Sequence, residues 1–204
     1  MATFRHVGKS DVAQVVAIHL VSFQGFFLTS LGPHFLEKMY ESFMLDERCV
    51  FVVAEDNNNI AGFSVGVSHK FSFSHSISYW KKIVLALSLT PVLLSNMQTL
   101  LPKIISRYKS EGSNLIIPDN AIFLKSIGVL PNLQGSGIAN ELITYFEQES
   151  VRLGYEQVLL TTDINNNDRV INFYKKSGYL KQNTFIQDKL RTMLVLTKDI
   201  RKTL

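Results

Sequence analysis

The sequence is poor in cysteine and in charged residues, and both shortages narrow the classes of protein that it can represent. Its 204 residues include one cysteine, Cys49, which excludes a disulfide framework and a cysteine-rich zinc site. Cys49 begins an apolar run, residues 49–54, that predicts a buried strand thiol rather than a nucleophile. Charged residues make up 19% and apolar residues 46% of the chain, which is typical of a globular protein with one sizeable core.

Targeting signals and nucleic-acid-binding signals are also missing. The first six residues contain no apolar signal core, so we expect a cytoplasmic protein. The net charge of +4 suits a polyanionic small ligand. No dense basic run with interleaved aromatic residues occurs, and we therefore expect no nucleic-acid partner.

A long run without charge, residues 83–101, raises the question of a transmembrane segment. Pro91 and several Ser, Thr, Asn and Gln residues interrupt the run, and the apolar residues after Pro91 repeat at helical spacing. We therefore predict an amphipathic helical insertion over residues 68–114 and no transmembrane segment. Peripheral contact with a membrane is the less favoured interpretation, because the polar face of this helix carries little basic charge.

The most informative stretch is a strand, a loop with glycine, and the first turn of a helix. Residues 121–127 are apolar and strand-like, and the apolar residues of 140–153 recur on one helical face. The first turn of such a helix directs unpaired backbone N–H groups and the positive end of the helix dipole at one point. Small residues let an anion approach that point closely. The stretch predicts a phosphate or pyrophosphate cradle formed by Gln134, Gly135, Ser136, Gly137, Ile138 and Ala139.

Several kinds of loop compete for this stretch. A Walker loop must end in Gly-Lys-Ser/Thr, which residues 137–139 do not supply, and a dinucleotide fingerprint needs Gly or Ala where Asn140 stands. The pattern Gln/Arg-x-x-Gly-x-Gly/Ala is satisfied by Gln134, Gly137 and Ala139. In this respect the loop resembles that of the GNAT superfamily of acetyl-CoA-dependent N-acetyltransferases. On the loop alone, an ordinary tight strand-to-helix turn stays open as an alternative.

A second motif follows in the order that this family has. It is similar to the family's second signature, and it reads Asn167-x-x-Val170-x-x-Phe173-Tyr174-x-x-x-Gly178-Tyr179. The family usually has Ala at the position of Val170 and Phe at that of Tyr179, so this sequence differs only slightly from the family pattern at these two positions. The resemblance covers residues 121–179 well. It implies a single GNAT domain over residues 1–204, in the α/β (α+β) class, with a mixed sheet of about seven strands flanked by helices and the helical insertion between the third and fourth strands.

The resemblance also implies the roles of individual residues. Acetyl-CoA would be held by the cradle and by the splayed strand around Ile127, Gly128 and Val129, whose N–H groups would stabilise an oxyanion. The Tyr174 hydroxyl would protonate or hydrogen-bond the leaving thiolate, and the alternative for Tyr174 is packing of the helix on the sheet. Phe173 packs beside it in the cofactor site. The side chain of Asn167 would bond the pantetheine arm, cap the helix, or do both. No metal is expected.

The expected acceptor site involves an aromatic loop at residues 22–33. Its phenylalanines either plug the core or line a cleft, and the resemblance assigns this loop to one wall of the acceptor pocket. Phe26, Phe27 and the strand-terminal Asp163 are therefore the candidate acceptor-binding residues. The sequence does not single out a general base: Asp163, His34, His69 and His75 are candidates, and each has a structural alternative.

The expected activity is transfer of an acetyl group from acetyl-CoA to a primary amine of a small molecule by direct attack in a ternary complex. Residues 22–32 also look similar to GNAT members that serve bacterial surface-polysaccharide synthesis, which points to an amino sugar. Two other functions stay open. One is a CoA-binding regulatory or interaction protein without turnover, and the other is a peptide or protein N-acetyltransferase. A monomer and a homodimer are both compatible with the sequence.

Overall fold

A single mixed sheet of seven strands organises the fold in a computed structural model that describes residues 2–68, 118–187 and 191–202. The strand order is β1-β2-β3-β4-β5-β7-β6, in which β4 and β5 run parallel and the other neighbours are antiparallel. The strands are β1 (Thr3–His6), β2 (Val50–Asp56), β3 (Asn59–Ser68), β4 (Ala121–Val129), β5 (Gln157–Asp163), β6 (Leu180–Gln187) and β7 (Arg191–Asp199). The predicted fold class, a mixed α/β sheet of about seven strands, is confirmed.

Helices cover both faces of this sheet. They are α1 (Val12–Ser22), α2 (Phe27–Ser30), α3 (Pro33–Met44), α4 (Ile138–Arg152) and α5 (Asp168–Lys176), with short 3-10 turns at Lys9–Asp11 and Pro131–Leu133. Helices α1 and α3 bury their apolar stripes in one core layer, and α4 and α5 bury theirs in the layer on the opposite face. We call these the α1/α3 face and the α4/α5 face.

The aromatic loop differs from the prediction, because residues 27–30 form the short helix α2 rather than an irregular loop. The hydroxyl of Thr29 donates to the carbonyl of Phe23 at 2.6 Å and the N–H of Ser30 donates to that of Phe26 at 3.3 Å, so the segment folds back on the end of α1. Hydrophobic periodicity gives no signal over a helix of one turn.

The predicted insertion lies outside the described residues, except for Ser68, which ends β3. His69 and His75, two of the candidate bases, lie outside them as well. In the described part of the chain, no helix is long and apolar enough to cross a membrane.

Close packing of α4 on the sheet depends on a glycine in β3. A Cβ atom built on Gly66 would lie 2.5 Å from the ring of Phe146, which is itself fully buried in α4. Real Cβ atoms do not approach a ring carbon so closely, so any side chain at residue 66 would push α4 away from the sheet.

We expect Gly66→Ala to lower the free energy of unfolding by about 2 kcal/mol, because overpacking a close-packed layer is destabilising. Urea unfolding measures the loss. The double variant Gly66→Ala/Phe146→Leu, in which the ring is replaced by a smaller side chain, should regain part of the loss caused by the added methyl group. A single variant as stable as the wild type would contradict this packing.

Candidate active site

The strands β4 and β5 run side by side for three residues and then separate. Ala121, Ile122 and Phe123 pair with residues 157–159, and the pairing ends there. Beyond this point β4 stays with β3, and β5 stays with β7. The register between β3 and β4 shifts between Leu124 and Ser126, so the extra residue Lys125 forms a bulge where the separation begins. The result is a gap in the middle of the sheet.

Two backbone N–H groups of β4 point into this gap. The N–H of Leu130 donates to the carbonyl of Ala61 at 2.9 Å, so these two residues form a hydrogen-bonded pair of the β3–β4 ladder. In an antiparallel ladder such pairs alternate with non-hydrogen-bonded ones. Val129 and Ile127, which lie one and three residues earlier, therefore direct their N–H groups away from β3 and toward the departed β5.

Gly128, between these two residues, lets an aromatic side chain lie against β4. A Cβ atom at this position would lie 3.1 Å from Phe63 and 3.3 Å from Phe23, which belongs to the end of α1. The hydroxyl of Ser22 donates to the carbonyl of Val129 at 3.2 Å and fixes the same junction. The end of α1 is thus fastened to the strand that borders the gap.

The loop after β4 forms the predicted cradle at the N-terminus of α4. Gly135 and Gly137 have φ values of +86° and +94°, a region that side chains strongly disfavour. The N–H groups of Gly135, Gly137, Ile138 and Ala139 donate to no backbone carbonyl within the described residues, and no side chain caps the helix. These four donors and the helix dipole suit an anion, and anion binding by this loop stays a prediction.

Two of the six predicted donors are partly used within the loop. The N–H groups of Gln134 and Ser136 donate to the carbonyls of Pro131 and Leu133, both at 3.3 Å, because the 3-10 turn closes on itself. The hydroxyl of Ser136 also donates to the carbonyl of Leu133 at 2.7 Å. The cradle is therefore centred on residues 135 and 137–139 rather than spread evenly over residues 134–139.

A cationic groove continues from the cradle between α4 and α5. It has a volume of about 600 Å³ and is lined by Asn140, Ile143, Thr144, Arg169, Asn172, Phe173, Lys176, Ser177 and Lys198. Its cations are Arg169, Lys176 and Lys198; because Lys198 is paired with the Glu147 carboxylate, it is Arg169 and Lys176 that suit the groove to an anionic ligand. Of these lining residues, only Phe173 is a predicted site residue. The spacing of Arg169, Asn172 and Lys176 along α5 is the signal that would have placed them on one helical face.

Lys198, one of the residues that line this groove, forms an ion pair with a buried carboxylate. The Lys198 ammonium lies 2.6 Å from a carboxylate oxygen of Glu147, which is 1% exposed. Burial raises the pKa of the Glu147 carboxyl, although Lys198 opposes this shift. The second carboxylate oxygen and the nearby Tyr179 hydroxyl are buried and make no hydrogen bond within the described residues.

Tyr174 lies in the α4/α5 core layer, beside the groove. Its ring packs against Phe173 and Tyr179 with centroid distances of 5.1 and 5.4 Å. Burial raises the pKa of the Tyr174 hydroxyl, so it stays protonated at any ordinary pH. The structure records no hydrogen bond from this hydroxyl to a described residue. A donor role of Tyr174 stays a prediction, and the packing role is visible.

Asn167 connects β5 to α5 rather than capping α5 with its side chain. Its amide group donates to the hydroxyl of Thr162 at 2.6 Å and to the carbonyl of Asp163 at 2.9 Å. The residue occupies the N-cap position, but its side chain makes no cap hydrogen bond. Because both amide protons are used, only the side-chain oxygen of Asn167 is left to accept a hydrogen bond from a ligand.

Phe23 and Phe26 of the aromatic loop pack against each other, and a role of this loop in acceptor binding stays a prediction. The side chain of Phe27 lies outside the described part of the chain. Phe26 is 51% exposed and packs edge-on against Phe23 at a centroid distance of 5.9 Å. Phe23 in turn lies against Gly128 at the gap. The loop thus contributes Phe23, which the sequence analysis did not select, and the exposed ring of Phe26.

Asp163 is held in an ion pair at the end of β5. The Arg191 guanidinium donates to its carboxylate at 2.8 Å and the N–H of Asn165 donates at 3.0 Å. Partial burial opposes ionisation, but these donors outweigh it and lower the pKa of Asp163. A carboxylate stabilised in this way is a poor base. His34 is exposed on α3 near Glu37, away from the gap, and within the described residues no cluster of His, Cys, Asp and Glu could hold a metal.

Comparisons with known proteins agree with this geometry. Residues 97–179 match the model of the acetyltransferase (GNAT) family, a segment that contains both motifs, the cradle and Tyr174. No curated protein matches the chain.

Many solved structures share the fold. The ribosomal-protein-S18-alanine N-acetyltransferase of Escherichia coli is 14% identical, with a TM-score of 0.62 over 98% of this chain and 94% of that one. The protein yncA of Salmonella typhimurium, solved with its cofactor acetyl-CoA, is 13% identical, with a TM-score of 0.63 over 98% and 94% of the two chains. An aminoglycoside 6'-acetyltransferase type Ii is 14% identical, with a TM-score of 0.61 over 97% of each chain. At these identities the likeness shows the fold.

We expect Lys198→Met to lower the free energy of unfolding by about 3 kcal/mol at pH 7, because it leaves the buried Glu147 carboxylate without its partner. The loss should shrink at pH 5, since the raised pKa of Glu147 lets the folded protein take up a proton there. Urea unfolding at both pH values measures this. The double variant Glu147→Gln/Lys198→Met is the control and should regain most of the stability. Equal losses at the two pH values would contradict the ion pair.

Proposed function

We propose that the chain, whose residues 97–179 match the GNAT family model, is an acetyltransferase that transfers the acetyl group of acetyl-CoA to a primary amine of a small molecule. One observation carries the proposal. Four free N–H groups at the N-terminus of α4 lie beside a gap in the sheet into which β4 directs two more. Together they suit a diphosphate joined to an extended arm that ends in a thioester.

The donor would lie along the α4/α5 face. The N–H groups of residues 135 and 137–139 would bind the pyrophosphate, and the cationic groove would take the remaining charge of the nucleotide. The pantetheine arm would enter the gap between β4 and β5 as an additional strand. There the free side-chain oxygen of Asn167 could accept from an amide of the arm.

The reaction needs donors for the negative charge that develops on the thioester oxygen and a proton for the departing sulfur. The N–H groups of Ile127 and Val129, which face the gap, would stabilise the oxyanion. The amine nitrogen bonds the acetyl carbon, the carbon–sulfur bond breaks, the nitrogen releases a proton to water, and the departing thiolate takes up a proton from water. The hydroxyl of Tyr174, which burial keeps protonated, would donate a hydrogen bond to the sulfur and so stabilise the charge that develops on it.

The acceptor is proposed to be a small amine, with an amino sugar as the first choice. The exposed ring of Phe26 and the ring of Phe23 offer an apolar wall on the side of the gap away from the cradle. The acceptors that the similar structures name, a protein alanine and an aminoglycoside, differ from each other, so the acceptor has to come from experiment. A cytoplasmic location stays a prediction.

Gly135→Ala should weaken the binding of CoA about tenfold, because a side chain at positive φ shifts the N–H groups of the cradle. Gly154→Ala is a matched control, since both glycines have a φ of +86° and open space around a Cβ atom. Both variants should lose similar stability, and only the first should lose affinity in titration calorimetry. Failure of the wild type to bind CoA at sub-millimolar concentration would reject the proposed function.

We expect Tyr174→Phe to lower the rate of acetyl transfer at least tenfold while the affinity for CoA stays within twofold, because the phenol acts on the leaving sulfur. The assay measures free thiol released from acetyl-CoA with amino sugars, nucleotide-linked amino sugars, polyamines and amino acids. An unchanged rate would remove Tyr174 from the mechanism. Tight CoA binding without turnover on any amine would favour a regulatory protein, and turnover on peptides alone would favour a peptide acetyltransferase.

A further inference from the structure

An arginine and an aspartate form an ion pair on the β5 side of the gap. Nε of Arg191 donates to the carboxylate of Asp163 at 2.8 Å, and both side chains are partly exposed. The two terminal nitrogens of Arg191, Nη1 and Nη2, have no hydrogen-bond partner within the described residues. In the pairs that Arg48 and Arg201 make with aspartates, by contrast, a terminal nitrogen also donates. The end of the Arg191 guanidinium is therefore available to a ligand.

The partner of Arg191 is itself held in place. The N–H of Asn165 donates to the carboxylate of Asp163 at 3.0 Å, and the side-chain amide of Asn167 donates to the carbonyl of Asp163 at 2.9 Å. With Nε bound to this fixed carboxylate, the two terminal nitrogens of Arg191 point away from it side by side. Their parallel N–H groups match the two oxygens of a carboxylate or a phosphate.

The ion pair lies level with the proposed oxyanion donors. Pairing between β4 and β5 ends at Phe123 and Leu159. Asp163 is four residues further along β5, and Ile127 is four residues further along β4. Strands rise by a nearly constant distance per residue, so these two residues face each other across the gap at about the same level. The proposed position of the thioester is between them.

Both side chains of the pair lie on the face of the sheet from which an acceptor would come. Leu160 of β5 and Leu194 of β7 belong to the core layer on the α4/α5 face. Because side chains alternate along a strand, Asp163 and Arg191, each three residues away, lie on the opposite face. The cradle and the cationic groove are on the α4/α5 face, so a donor bound there leaves the face of Arg191 open to the amine.

The charges on this face favour an anion. The ammonium of Lys125, at the bulge, lies 4.5 Å from the ring centroid of Phe123, which packs with Leu159 on the same face as Asp163. Two cations, Lys125 and Arg191, thus accompany one carboxylate. Asp163 repels an anion, but a ligand bound to the terminal nitrogens of Arg191 is closer to the guanidinium than to this carboxylate. Coulomb energy falls with distance, so the attraction is the larger effect.

We propose that the terminal N–H groups of Arg191 bind an anionic group of the acceptor, so that the acceptor is a small amine that also carries a carboxylate or a phosphate. Asp163 is a positioning residue that holds the guanidinium beside the gap. This inference rests on the proposed acetyl transfer. An acceptor bound to Arg191 through its anionic group extends across the gap toward Phe23 and Phe26, and its amine then lies beside the thioester carbon.

The proposal is tested with pairs of amines of similar basicity that differ in an anionic group. Glucosamine is compared with glucosamine 6-phosphate, and butylamine with 4-aminobutanoate. The best acceptor from the amine screen is likewise compared with its analogue that gains or lacks such a group. The measured quantity is kcat/KM for release of free thiol from acetyl-CoA. Wild type should prefer the anionic member of at least one pair about tenfold, and the pair concerned tells a phosphate from a carboxylate.

Variants of the arginine identify the residue that causes this preference. Arg191→Met should reduce it to about one, and Arg191→Lys should keep only part of it, because an ammonium lacks the planar pair of donors. Arg201→Met is a matched control, since Arg201 pairs with Asp199 beyond the opposite end of β7, and it should leave the preference unchanged. Calorimetry should show that each variant keeps its affinity for CoA within twofold.

The positioning role is tested separately at Asp163. Asp163→Asn keeps an oxygen that accepts from Nε of Arg191 and should keep the preference, whereas Asp163→Leu should raise KM for the anionic acceptor about fivefold. An unchanged or lower KM in Asp163→Leu would remove the positioning role. Equal kcat/KM within every pair for the wild type, or a preference that survives in Arg191→Met, would overturn the inference alone. Absence of turnover with every amine would instead overturn the proposed function on which it rests.

Discussion

The separation of two parallel strands is the constraint on which the rest of the structure depends. After Phe123, β4 keeps its hydrogen bonds to β3 while β5 keeps its bonds to β7, so each strand has one neighbouring strand among the described residues. Unpaired backbone N–H groups are costly unless something binds them. A sheet with such a gap in its centre is therefore prepared for an extended, hydrogen-bonding ligand, and α4, α5 and the end of α1 surround it.

Much of the architecture was predictable because it rests on local patterns. The strand around Val52 is buried on both faces. Asn57 and Asn58 adopt positive φ in a tight turn, and Gly154 has positive φ directly after the last turn of α4. Each is a preference of a few neighbouring residues. The short helix α2 gave no such signal, because one turn cannot show a helical period and is held by contacts to Phe23 and Phe26.

The candidate site was predictable only where it is continuous in sequence. The cradle follows directly from a strand, a loop with glycine and a helix start, and its free N–H groups were expected. The cationic groove joins α4, α5 and β7, and the buried hydrogen bond between His19 and Tyr40 joins α1 and α3. Contacts between elements that are far apart in the sequence cannot be predicted from the spacing of residues. The same holds for the ion pair between Arg191 and Asp163, which makes Asp163 a weak base.

The brief pairing of β4 with β5 has a mechanical consequence. Among the described strands, β1–β4 are joined to β5–β7 by sheet hydrogen bonds only through residues 121–123 and 157–159. The helix layers also hold the two halves together. They resist sliding of one half against the other less strongly than the hydrogen bonds between paired strands do. A molecule bound in the gap between β4 and β5 would link these two halves. The domain would therefore become more rigid as a larger fraction of the protein binds that molecule.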